Sequence, residues 1–281
     1  MILIIIMNKV IAIQGAEGSN HHKVARDFYG SSIQLKECMS FDFLVSSLLD
    51  GSADLGVMAL ENTIAGSIIP NYALIDQHNL HITNEGYLNI HHHLMALKGQ
   101  GINDIKEVWS HPMALLQCKE FFKNYPHVKL VEDVDTAEVA KRISKENLFG
   151  IAAIAPKIAA DIFDLNIIED EIQTIKDNST RFVIVQTDQP VDDTDQLNKA
   201  SLKFQLNHKR GSLAAILNVL SDCKLSLTKI QSLPVIQTPW KYSFFVDVTF
   251  DSYKDYEKAK AIIEIMAEEF KILGTYKNGR P

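Results

Sequence analysis

Along the first 190 residues, short apolar runs alternate with segments whose apolar positions recur every three or four residues. The runs predict strands at Lys9–Gln14, Gly56–Leu60, Leu88–Leu97, Glu107–Ser110, Val128–Val131, Phe149–Ala153 and Arg181–Gln186. Between them, helices are predicted at about His21–Tyr29, Ser40–Asp50, Met113–Asn124, Thr136–Glu146 and Pro156–Phe163. In the fourth, Val139, Ala140 and Ile143 fall on one face, the spacing of an amphipathic helix. Strands alternating with helices specify an α/β sheet with crossovers. Thr187–Asn198 then carries four aspartates, one proline and few apolar side chains, the composition of a linker. From Lys199 the pattern becomes β-α-β-β-α-β, with strands at Ala200–Asn207, Leu225–Pro234, Tyr242–Phe250 and Lys271–Tyr276. The stripes Leu213, Ile216, Leu217, Leu220 and Ala259, Ile262, Ile263, Met266 mark its helices. That element order is the ferredoxin-like plan.

Length and composition agree with two domains. The chain has 281 residues, 46% of them hydrophobic and 22% charged, as in ordinary globular proteins. Its 28 basic and 35 acidic residues give a net charge of −7, which argues against nucleic acid or acidic lipid as a partner. Cys38, Cys118 and Cys223 fit neither a metal spacing nor a disulfide framework, so a reducing cytoplasm is expected. The apolar start, Met1–Met7, lacks the features of a signal peptide and is too short to cross a bilayer. Met7 reads as an alternative start.

The first chemical feature is Asn178-Ser179-Thr180-Arg181-Phe182, directly before the apolar Val183-Ile184-Val185. A guanidinium presents paired donors that match a carboxylate, and the neighbouring threonine offers a hydroxyl. Alone, the run also fits a polar turn entering a buried strand. Four more segments follow strands or open helices: Gly15-Ala16-Glu17-Gly18-Ser19, Glu61-Asn62-Thr63, Ser110-His111-Pro112 and Asp135-Thr136-Ala137-Glu138. Gly15–Ser19 lies at a strand-to-helix turn, where backbone N–H groups and the helix dipole attract an anion. Ser110 reads as the cap of the helix that Pro112 begins or a pocket residue, and His111 as a structural histidine or a pocket residue. His91-His92-His93 suggests a metal, but along a strand His92 points away from the other two, so no metal site is expected. His21-His22, at a helix start, reads as solvated.

In order and spacing, these five segments resemble prephenate dehydratase over roughly residues 8–186. The segment from residue 199 resembles the ACT regulatory domain that commonly follows that enzyme. The resemblance implies a cofactor-free, cytoplasmic hydro-lyase of phenylalanine biosynthesis. Its catalytic domain, residues 1–186, would have two lobes like a periplasmic binding protein, crossing near Gly86 and returning near Lys176. Residues 187–198 would be the linker and 199–281 the ACT domain. Thr180 would donate to the departing ring oxygen, and Arg181 would hold a substrate carboxylate. Gly18, Ser19, Asn62, Thr63, Ser110, His111 and Phe182 would line the substrate site, with Glu61 as an orienting group or an acid. Of the three adjacent histidines, only His92 falls where the family has one. Ala16 stands where the family usually has proline.

Family ACT domains bind phenylalanine through a loop and a strand. The matching segments here are Gly211-Ser212-Leu213-Ala214 and Gln231-Ser232-Leu233-Pro234. The strand lacks both charged residues of the usual pattern, so altered affinity or coupling is expected for L-phenylalanine as effector. Self-association as a dimer or tetramer is implied. No chorismate mutase-like helical domain precedes the motifs, which implies a monofunctional enzyme. Two other readings use the same residues: an arogenate dehydratase, and a non-catalytic amino-acid sensor.

Overall fold

The computed structural model describes residues 9–189, 196–207, 209–235, 238 and 241–280. The start at Met1 or Met7, and residues 190–195 of the expected linker, lie outside these. Contacts divide the chain into two compact units. One comprises the chain up to Ser67 with Tyr87–Phe182, the other Ile68–Gly86 with the chain from Val183.

The first unit is built on β1 (Val10–Gln14), whose Ile11, Ala12 and Ile13 are buried. It pairs in parallel with β2 (Gln34–Cys38) and with β3 (Leu55–Asn62). The crossover helices α1 (Asn20–Tyr29) and α2 (Phe41–Leu49) start at Ser19 and Ser40, whose hydroxyls accept from His22 N and Phe43 N. The short β4 (Gly66–Ser67) folds back on β3. The sheet order is β2-β1-β3-β11-β5, where β5 is His81–Asn89 and β11 is Ser179–Gln186.

A second, mixed sheet follows the order β10-β6-β9-β7-β8. Its strands are β6 (His93–Ala96), β7 (Glu107–Ser110), β8 (Lys129–Glu132), β9 (Ile151–Ala155) and β10 (Asn166–Glu169). Helices α4 (Pro112–Phe122), α5 (Thr136–Glu146) and α6 (Lys157–Phe163) cover it, after α3 (Ile69–Gln77) earlier in the chain. Val139, Ala140 and Ile143 pack beneath α5 against Met95, Ala153 and Ala155, as the amphipathic pattern predicts.

In the second unit, β12 (Lys199–Gln205), α7 (Ser212–Asp222), β13 (Ser226–Pro234), β14 (Tyr242–Thr249), α8 (Tyr253–Met266) and β15 (Glu269–Tyr276) follow the expected βαββαβ order. Their sheet order is β13-β14-β12-β15, all antiparallel. Leu202, Phe204, Ile216, Leu220, Val246 and Ile263 form its core.

The structure departs from the sequence reading in three places. The expected strand Leu88–Leu97 is two strands, β5 and β6, separated by Ile90–His92. Strands β2, β4 and β10 and helix α3 were not expected; β2 is a partly exposed edge strand of sequence QLKEC, which carries no apolar run. Finally, contacts group Ile68–Gly86 with the C-terminal elements. Asp76 of α3 binds Lys203 and Lys271, and Glu85 of β5 binds Lys199.

Candidate active site

The site is organised from Asn62, at the end of β3. Its Oδ1 accepts from the backbone N–H groups of Ile64 and Ala65, at 2.9 and 2.8 Å. Two backbone donors on one oxygen fix which way the amide faces. Asn62 Nδ2 therefore donates, to Thr180 Oγ1 at 2.9 Å and to Asn178 Oδ1 at 2.6 Å. Asn178 is oriented in turn, and its Nδ2 donates to Gln117 Oε1 at 3.2 Å. Gln117 Oε1 also lies 2.8 Å from His92 Nε2. The chain Thr180–Asn62–Asn178–Gln117–His92 thus has a direction set by two peptide N–H groups. Because Thr180 Oγ1 accepts from Asn62, its own proton is left to donate. It has no protein acceptor among the described residues.

The neighbouring residues secure this arrangement. Thr63 N donates to Ser179 O, and Thr63 Oγ1 accepts from Ser179 N, both at 2.9 Å. Thr63 therefore locks β3 to the entrance of β11. Phe182, two residues beyond Thr180 on the same strand face, meets His21 edge-on with ring centroids 5.0 Å apart.

Arg181 is 2% exposed and lies one residue from Thr180 along a strand, hence on the opposite face. It is engaged within the protein. Glu61, one residue from Asn62, shares that opposite face, which fits an orienting role better than an acid's.

The Gly15–Ser19 turn also differs from expectation. Gly15 N donates to Cys38 O, Ser19 N to Ala16 O, Glu17 N to Glu37 Oε1 and Gly18 N to His22 Nδ1. The Ala16 N–H favours the ionised form of Asp135. Four of the turn's five N–H groups are thus occupied by internal acceptors rather than held open for an anion. Both glycines are required: φ is +92° at Gly15 and +90° at Gly18. A Cβ at Gly15 would sit 2.7 Å from Asp135 Oδ2, and one at Gly18 would sit 3.1 Å from Ala159 Cα. Asp135 caps α5 through Ala137 N and Glu138 N, both at 2.9 Å. Burial pushes its carboxyl above the usual range, opposed by the Glu138, Ala137 and Ala16 N–H groups.

Ser110 is fully buried and donates to Ile154 O at 2.7 Å, so it ties β7 to β9. The cap of α4 is His111 instead, whose Nδ1 accepts from Met113 N at 3.2 Å. His21 and His22 are buried, not solvated. His21 packs against Phe41 and Phe182, and its Nε2 has no partner. Burial pushes the His21 imidazole down to about 3. Between that value and the ordinary 6.5, the unfolded chain takes up a proton that the folded one refuses. Stability should therefore fall as pH drops from about 6.5 toward 3, by up to ~1.4 kcal/mol per pH unit from this residue. His21→Phe should flatten that slope in urea melts taken between pH 7 and 4.5, and an unchanged slope would disprove the attribution.

Gln117 and the roles of Asn178 and His92 were missed by sequence reasoning. Gln117 lies six residues beyond His111 on α4, and a lone helical glutamine carries no pattern. No cluster of metal-ligating side chains occurs among the described residues. His91 and His93 instead face Glu171 and Asp170, at 3.3 and 3.0 Å. No helix among the described residues is long and apolar enough to cross a membrane.

In the second unit, Gly211 begins α7 with φ +85°, and Ser212 Oγ donates to Lys209 O at 2.9 Å. Ser212 and Leu213 help line a cavity of about 470 Å³ with Lys241, Tyr242 and Glu268. Gln231–Pro234 lie on the sheet-edge strand β13, paired with Tyr242–Phe245 of β14 and outside that cavity.

A family model described as prephenate dehydratase matches residues 11–190. The chain is 34% identical over 276 residues to arogenate dehydratase/prephenate dehydratase 2, chloroplastic, of Arabidopsis thaliana, covering 95% of this chain and 72% of that one. Among solved structures, a prephenate dehydratase in complex with L-Phe from Arthrobacter aurescens has a TM-score of 0.83 at 22% identity, covering 96% and 90% of the two chains. A quorum-quenching acylase has a TM-score of 0.85 at 23% identity, covering 96% and 98%. At such identities these two likenesses concern the fold alone. With more than half of its length matched by the family model, and a relative 34% identical over nearly its whole length, the chain belongs to the prephenate dehydratase family.

Proposed function

We propose that this protein converts prephenate to phenylpyruvate, with Thr180 as the hydrogen-bond donor to the departing ring oxygen. In that reaction the bond from the ring to its carboxylate breaks, and the electron pair enters the ring. The bond to the ring hydroxyl breaks in turn, and oxygen leaves as water after taking up one proton. Carbon dioxide, water and an aromatic ring result, and aromatisation supplies the driving force. The carrying observation is the locked direction of the Asn62–Thr180 hydrogen bond, which commits the threonine proton outward. Asn62, Thr63 and Phe182 shape this part of the substrate site. Gly18, Ser19, Ser110 and His111 support it structurally, and Arg181 acts from behind the strand.

The C-terminal unit is proposed to be an ACT-type domain that binds L-phenylalanine. Its βαββαβ order, its Gly211 helix start and the cavity beside Ser212 and Leu213 support this, as does the relative described with L-Phe. Self-association is supported by apolar side chains left in solvent: Ile262, Ile265 and Met266 on α8, and Leu227 and Ile230 on the edge strand β13. The three cysteines are free, in keeping with a reducing cytoplasm.

Arogenate is the second candidate substrate, because the Arabidopsis relative carries both activities in its name. Purified protein should be given prephenate and arogenate in parallel, with and without L-phenylalanine. Phenylpyruvate formed from prephenate at the higher kcat/KM supports the proposal. Phenylalanine formed preferentially from arogenate would replace it with the second reading. A thermal shift with L-phenylalanine but no turnover of either would favour the amino-acid sensor.

A further inference from the structure

We propose that His92 is a positioning residue for the dehydration, acting through Gln117 rather than on the substrate. This rests on the reaction proposed above and extends it to a residue outside the substrate site. The argument follows the direction of the hydrogen-bond chain. Asn178 Nδ2 donates to Gln117 Oε1, so that oxygen is an acceptor, and the His92 Nε2 that lies 2.8 Å from it must carry a proton. The buried Nδ1 of His92 has no partner. It is therefore the bare nitrogen of a neutral ring, since a buried N–H without an acceptor is the costlier arrangement. Burial, which lowers the His92 pKa, favours the same neutral form.

His92 is itself held on its backbone. Its N–H donates to Gln173 Oε1 at 2.9 Å, and its carbonyl accepts from Ile172 N at 2.8 Å. Two donors, from the segment between β5 and β6 and from the residue before β11, thus clamp Gln117 Oε1. The half-buried Gln117 then keeps its –NH₂ as the donor end of the network, without a protein partner among the described residues. Thr180 keeps its O–H at the other end. Two oriented donors result, neither of which can turn without breaking bonds to the same relay. The three adjacent histidines divide accordingly: His91 and His93 meet surface carboxylates, while His92 serves the network.

The test compares His92→Leu with His92→Gln, whose Nε2 can replace the ring donor. His92→Leu should lower kcat for prephenate on the order of 10- to 100-fold, the scale of a misplaced reacting group, with KM changed less than about threefold. His92→Gln should recover most of that loss. In a Gln117→Ala background, His92→Leu should cost little further in kcat, although it should still lower the melting temperature. Long-range ¹H–¹⁵N NMR of the wild-type protein should show the neutral Nε2–H tautomer at pH 7. Wild-type turnover with His92→Leu retaining kcat within twofold, or no recovery in His92→Gln, would overturn the positioning role. So would an imidazolium or an Nδ1–H ring, read without any turnover. A wild-type protein inactive on prephenate but showing the Nε2–H tautomer would refute the proposed reaction, and the positioning role of His92 in it.

Discussion

Replacing Thr180 with valine is expected to lower kcat for prephenate on the order of a hundredfold while leaving KM within about threefold. Valine keeps the shape and removes the hydroxyl, so the loss reports one oriented donor. Such donors contribute about 3 kcal/mol when they act on charge that develops in the transition state. The ground state gains little from the same bond, because the substrate hydroxyl is already satisfied by water before it binds. Thr180→Ser should recover most of the rate, since serine also accepts from Asn62 Nδ2. Steady-state phenylpyruvate formation checks both variants. A valine enzyme within fivefold of wild type would remove Thr180 from the chemistry.

The largest effect on stability is expected at Lys199. Its Nζ lies 2.8 Å from both carboxylate oxygens of Glu85, and the side chains are 2% and 0% exposed. Gly279 N adds a third donor at 3.0 Å. Lys199→Met would leave a buried carboxylate without its cation, which typically costs 3–5 kcal/mol. Replacing both partners, as in Lys199→Met with Glu85→Leu, should recover most of that, since an apolar pair avoids desolvating two charges. Urea unfolding followed by hydrogen exchange on β12 and β5 would read the change in this unit. A single-variant loss below about 1 kcal/mol would show that the pair is not held as tightly as its geometry indicates.

These two residues also show where sequence was informative. Thr180 and Asn62 were legible because each stands in a short local motif at a strand end. Gln117 and His92 were not, since an isolated glutamine and one of three adjacent histidines carry no pattern of their own. Their meaning comes from a relay joining positions 25, 61, 116 and 118 residues apart. The separation of Arg181 from Thr180 has a geometric reason. Adjacent residues of a strand face opposite sides, so a threonine and an arginine side by side in sequence do not share one face. His21 and His22 were misread because polarity suggested solvent, whereas Ser19 starts the helix so that both rings turn inward.

The sequence by itself determined the type and order of most elements, though not strands β2, β4 and β10 or helix α3. The apolar runs of β1, β3 and β9 and the spacing along α5 leave few alternatives once every such face must be buried. It also determined the βαββαβ order of the C-terminal unit. Tertiary structure alone decided what covers the polar face of β12. Lys199, Ser201, Lys203 and Gln205 alternate along that strand as if they faced water, yet all four are buried. Asp76 and Glu85, from the segment Ile68–Gly86, bind Lys203 and Lys199 there, more than a hundred residues away in sequence. A two-residue period marks the two faces of a strand but not what meets each. Only the folded chain, which must pair every buried charge, decides that.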